Sequence, residues 1–103
     1  MNMANKTNQL IWLLDKFFEG KVTSDTLVTF AWDIIDFFTE TPKNELPLEL
    51  PDEGAFWYAI WLIQHIGDDE HMSNASCRSQ MIDILAYLRK KKQLPSNYWG
   101  KRP

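Results

Sequence analysis

Cysteine, glycine, histidine and long apolar runs are all scarce in this chain, and each scarcity excludes a class of protein. A single cysteine, Cys77, forms no internal disulfide, which rules out a disulfide-stapled secreted scaffold and points to a reducing compartment. The longest apolar run is Ala55 to Ile63, too short to cross a bilayer, so no membrane partner is expected. The segment Met1 to Lys6 has no apolar signal core behind it, and a cytoplasmic location follows as the expectation. Four glycines offer no Gly-rich phosphate loop. A length of 103 residues is that of one helical domain, 1–103, ending in a short tail, 95–103.

Aromatic residues, by contrast, are plentiful: five Trp, six Phe and three Tyr. Each ring carries a large apolar area, which offsets the unfavourable surface-to-volume ratio of a small domain. With 45% hydrophobic and 24% charged residues, the chain has the composition of a globular protein rather than a disordered one.

Charge is unevenly distributed. Residues 1–88 hold all 14 acids and five basic residues, a balance of −9, while residues 89–103 hold six basic residues and no acid, a balance of +6. From Asp25 to Glu53 there are eight acids against Lys43 alone. Such a body attracts a basic partner, although an acidic surface also serves solubility alone.

Hydrophobic periodicity predicts four helices. The first spans about Asn8 to Phe18, with Thr7 as N-cap and Gly20 as the left-handed residue at its end. The second opens at Thr23-Ser24-Asp25, sets Leu27, Phe30, Ala31, Ile34 and Phe38 on one face, and ends near Thr39 ahead of Pro42, Pro47 and Pro51. A third, from about Asp52 to Ile66, is apolar around its whole circumference and therefore belongs in the middle of the domain. The fourth runs from about Asn74 to Lys92, with Cys77, Met81, Ile84, Leu85 and Leu88 on the core stripe and cations in its last turn. No segment shows the two-residue alternation of a strand. The expected fold is all-α: a four-helix bundle-like single domain with a central aromatic-rich helix and a short basic C-terminal tail.

Side chains left over from the core are the candidates for function. At ~100° per residue, Trp32, Asp25, Asp36, Glu40 and Asp33 fall on the face of the second helix opposite Leu27. An aromatic ringed by carboxylates suits a hot spot against a basic protein, whereas Trp32 covered by the Pro-rich loop is the structural alternative. Asp68, Asp69 and Glu70 form a second acidic candidate patch. Trp12 lies on the outer face of the first helix, where packing by the tail residues Tyr98 and Trp99 is expected. His65 and His71 flank no Ser or Cys as a nucleophile–base pair, and with Asp68, Asp69 and Glu70 they match no strong metal-ligand spacing. Neither catalysis nor a cofactor or metal is expected. The tail interleaves Arg89 to Lys92, Tyr98, Trp99, Lys101 and Arg102, a pattern that suits stacking on nucleic acid, but a body at −9 repels phosphates. An adaptor acting through this basic tail is the competing reading.

Several of these stretches resemble a known family. Leu10 to Phe38, with Phe17-Phe18-Glu19-Gly20-Lys21-Val22-Thr23-Ser24-Asp25-Thr26-Leu27, resembles the first two helices of small colicin-D-like immunity proteins. Asp52 to Ile60 looks like that family's central aromatic helix, and Leu94 to Pro103 is similar to tails of immunity proteins from contact-dependent growth-inhibition systems. The resemblance implies a bacterial antitoxin that binds the C-terminal domain of a cognate toxin, a basic nuclease that cleaves tRNA or other RNA, in a 1:1 complex. It implies occlusion by acidic residues in place of substrate phosphates. The residues named for this role, Asp25, Trp32, Asp33, Asp36, Glu40, Asp68, Asp69 and Glu70, come from charge and helical position, not from the resemblance.

Overall fold

The computed structural model describes residues 2–51, 53–67, 74–93 and 100–103. Among them are four α-helices and no strand: α1, Met3–Phe18; α2, Ser24–Glu40; α3, Glu53–Ile66; and α4, Ala75–Leu88. A 3₁₀ turn at Lys43–Glu45 interrupts the Pro-rich connection between α2 and α3. Helix α3 packs against both α2 and α4, and α1 closes the bundle against α4 and α2. Phe56, Trp57, Ala59, Ile60 and Ile63 of α3 are all buried, so the helix that is apolar all round occupies the middle. The radius of gyration of 13.2 Å is that of a compact chain of this length, about 13 Å for 100 residues.

Rings dominate the centre. Phe38 of α2 and Phe56 both meet Trp57 edge-on, with centroids 4.8 and 5.2 Å apart, the arrangement that aromatic quadrupoles favour. Leu27, Phe30, Ala31, Ile34 and Phe38 are buried, as the periodicity of α2 requires.

Helix ends differ from the sequence expectations in instructive ways. Helix α1 begins at Met3, five residues earlier than expected, because Asn2 supplies the cap: its side chain accepts from the Asn5 amide at 3.0 Å. Thr7 is not the cap; it sits inside the helix and its hydroxyl donates to the Met3 carbonyl. Helix α4 stops at Leu88, not at Lys92. The amides of Lys90 and Lys91 bond back to the carbonyls of Tyr87 and Ala86, and Lys90 takes a positive φ of 59°. This paired termination also closes α1, where Gly20 and Lys21 bond to Phe17 and Lys16. The cations of 89–92 therefore lie just beyond the helix rather than in its last turn. Cys77 is half-exposed rather than enclosed, as it lies on the edge of the stripe that buries Met81, Ile84, Leu85 and Leu88.

Gly20 has φ 76°, and an added Cβ would meet nothing within 4 Å. Gly20→Ala is thus expected to cost about 1 kcal/mol through backbone strain alone, since the left-handed region disfavours L residues by ~1–2 kcal/mol. Urea denaturation of the variant measures this, with an unchanged m-value.

Candidate interaction surface

Helix α2 presents its polar side to solvent. Asp25, Asp33, Asp36 and Glu40 are all exposed, and Trp32 among them keeps 44% of its surface accessible. The geometry follows from the sequence: once Leu27, Phe30, Ala31, Ile34, Ile35 and Phe38 are buried, the 3.6-residue repeat leaves these positions outside. Among the described residues none of the four carboxylates forms an ion pair, in contrast to Asp15, Glu19, Glu53 and Asp83. Helix α2 thus carries four uncompensated negative charges around one accessible indole. Asp25, in the first turn, also lies where the helix dipole favours an anion.

Asp68, Asp69 and Glu70 lie outside the described residues, as do His71, Tyr98 and Trp99. Trp12 is 55% exposed, so the cover expected from the tail is not provided by the described residues; its ring instead faces the Lys16 ammonium, 5.6 Å from the centroid. His65, at the end of α3, is exposed. Among the described residues no group of three or more His, Cys, Asp or Glu side chains is placed to hold a metal ion. No helix among them is long and apolar enough to cross a membrane.

One cluster was not anticipated from the sequence. Glu53, counted among the acids of the body, is only 4% exposed and is the one buried carboxylate among the described residues. Its oxygens accept from the Trp57 indole at 2.6 Å, from the Leu50 amide at 2.9 Å, and from Arg102, which engages both oxygens through Nε and Nη2. Arg102 also donates through Nη1 to the Pro47 carbonyl at 2.9 Å, and its guanidinium lies 5.1 Å from the centre of the Phe38 ring. Burial pushes the Glu53 pKa up, but the hydrogen bonds from Arg102, Trp57 and Leu50 outweigh it and hold the carboxyl below its ordinary value of 4.5.

Around this pair the segment 100–103 is strapped onto α3. Lys101 accepts from the Trp61 indole at 2.7 Å, and the Gly100 amide donates to the Gly54 carbonyl. Gly100 approaches the helix backbone so closely that a Cβ there would lie 2.2 Å from the Tyr58 nitrogen, so only glycine fits. The sequence signal for this cluster existed: an acid in the first turn of a helix otherwise apolar on every side, and an arginine 49 residues later in a segment with no acid of its own. Nothing in linear spacing joins them.

Two other cations near the end of α4 also have intramolecular partners. Arg89 pairs with Asp15 of α1, and Lys92 lies 3.0 Å from Asp83. No family model matches this chain, and neither does any curated protein or solved structure.

Proposed function

We propose that this chain is a non-enzymatic immunity protein: an antitoxin that binds the basic, RNA-cleaving nuclease domain of a cognate toxin and neutralises it in the cytoplasm. The observation that carries this reading is the exposed face of α2, where Asp25, Asp33, Asp36 and Glu40 surround Trp32 with no cation bound to them among the described residues. A nuclease site is basic in order to hold phosphates, so unpaired carboxylates steer the two proteins together and Trp32 supplies the area that water must leave. The resemblance of 10–38, 52–60 and 94–103 to colicin-D-like immunity proteins points the same way. Binding is one chain to one toxin domain, without cofactor or metal.

The competing adaptor reading needs the basic tail for phosphates. Arg102 is engaged with Glu53 and Pro47, and Arg89 and Lys92 are engaged with Asp15 and Asp83, which leaves that tail much less free charge than its composition suggests.

The test is a tagged pull-down from the native bacterium, washed at high salt, with intact-mass identification of what stays bound. A stoichiometric basic polypeptide whose RNA cleavage is suppressed by added purified chain is the expected result. Recovery of RNA or DNA without such a polypeptide overturns the reading in favour of the adaptor.

A further inference from the structure

The cluster around Glu53 has the parts of a binding site with a ligand already in it. Three groups meet the Arg102 guanidinium. The Glu53 carboxylate accepts from Nε and Nη2, the Pro47 carbonyl accepts from Nη1 at 2.9 Å, and the guanidinium lies over the Phe38 ring, 5.1 Å from its centroid. Two parallel N–H bonds to one carboxylate, a third acceptor and an aromatic ring together match the planar fork of an arginine. An ammonium cannot reproduce them.

Each of the three groups is fixed by contacts that do not involve Arg102. The Glu53 carboxylate is oriented by the Trp57 indole at 2.6 Å and the Leu50 amide at 2.9 Å, and the Glu53 amide donates back to the Leu50 carbonyl at 3.2 Å. That reciprocal pair ties the start of α3 to the Pro-rich connection, where the rings of Pro47 and Pro51 restrict φ. Phe38 is buried and meets Trp57 edge-on. Walls that stand without the ligand lose little entropy when it binds, which is the property of a receptor.

The ligand side is less enclosed. Arg102 keeps 19% of its side-chain surface accessible, against 3% for Glu53. A pocket of about 340 Å³ lies where Glu49, Gly54 and Trp57 face residues 100–102. Glu49, exposed, adds a second negative charge that attracts the guanidinium. We propose that Glu53, Pro47 and Phe38 form an arginine-recognition site, filled in this chain by its own Arg102 and open to an arginine side chain of another polypeptide when Arg102 leaves it. Tethering gives Arg102 a high effective concentration, so an outside arginine competes only where further contacts hold it nearby. The inference rests on this geometry alone; it goes beyond the antitoxin reading and stands whichever way that reading is decided.

The test uses the full chain carrying Arg102→Ala, which empties the site, with Nα-acetyl-arginine amide as the probe. At about 50 mM the probe is expected to raise the Tm of the variant by at least about 5 °C, the shift that a Kd of about 5 mM produces. Nα-acetyl-lysine amide is expected to give less than about a third of that shift. Adding Glu53→Gln to the variant should abolish the response, and the wild type, whose site is full, should show almost none. Where Arg102→Ala alone is unfolded, recovery of its helical circular dichroism on adding the probe is the same positive result. No response, equal responses to the arginine and lysine amides, or a response that survives Glu53→Gln overturns the proposal. A second measurement needs no destabilised variant. Nitrogen-15 spectra of the wild type near neutral pH are expected to show an Nε–H protected from exchange that disappears in Arg102→Lys, and an unprotected Arg102 Nε–H overturns the proposal as well.

Discussion

Arg102→Ala is expected to destabilise the fold by about 3–4 kcal/mol, the largest single-residue effect on stability that we anticipate. The reason is not the worth of one ion pair on a surface. Removing the guanidinium leaves the Glu53 carboxylate nearly enclosed beside Phe38 and Trp57, with only the Trp57 indole and the Leu50 amide as donors. A buried charge without its partner carries most of its desolvation cost. The variant also frees the Pro47 carbonyl and loosens the 100–103 strap, exposing the Trp61 indole that now donates to Lys101. In a chain of this length 1 kcal/mol corresponds to about 4–8 °C, so a fall in Tm of more than about 12 °C is expected. Arg102→Lys should fall in between, because an ammonium cannot engage both carboxylate oxygens and the Pro47 carbonyl in one planar fork.

The same pair sets a pH dependence. Glu53 has its pKa depressed in the folded chain, so the unfolded chain binds its proton first as pH falls. The stability it contributes is fully present above its unfolded value, near 4.5, and is lost progressively as pH drops through the lower folded value. Denaturation midpoints between about pH 3 and pH 7 should therefore decline towards acid in the wild type and decline less in Arg102→Ala, where burial acts against the charged form with less opposition. Equal acid slopes in the two proteins would show that Glu53 is not held by Arg102.

The second large effect concerns binding. On the antitoxin reading, Asp33→Lys combined with Asp36→Lys is expected to slow association with the basic partner at least about ten-fold at low salt, and the difference should narrow as salt screens it. Stability should change by no more than about 1 kcal/mol, because both residues are exposed and unpaired among the described residues. Trp32→Ala should act differently, raising the dissociation rate and weakening Kd about 30-fold, as loss of a central aromatic anchor does. Surface-resonance kinetics separate the two. A folded double variant that associates at the wild-type rate removes α2 from the interface.

Much of this protein is written locally. The four helices, the central place of Glu53–Ile66 and the outward face of α2 all follow from where apolar residues recur, because a helix maps sequence spacing directly onto direction. The left-handed turn at Gly20 was legible for the same reason: one residue type meets one backbone need. The helix ends were less so. Asn2 rather than Thr7 caps α1, and Lys90 rather than a glycine turns the chain after α4, since side-chain capping and a left-handed lysine depend on the hydrogen bonds available on both sides of the boundary.

What the sequence by itself determined was therefore the class of fold, the acidic character of the body and which residues of α2 point outward, all consequences of period and composition. The tertiary structure alone decided that one of the body's acids is no surface charge, that the last arginine of a seemingly free basic tail is its partner across 49 residues, and that Leu48 stands exposed between two half-buried leucines. The physical reason is common to all three. Burial and pairing are properties of the space between elements, and charge, which sequence counts one residue at a time, acquires its meaning from what the fold brings within a few ångströms of it.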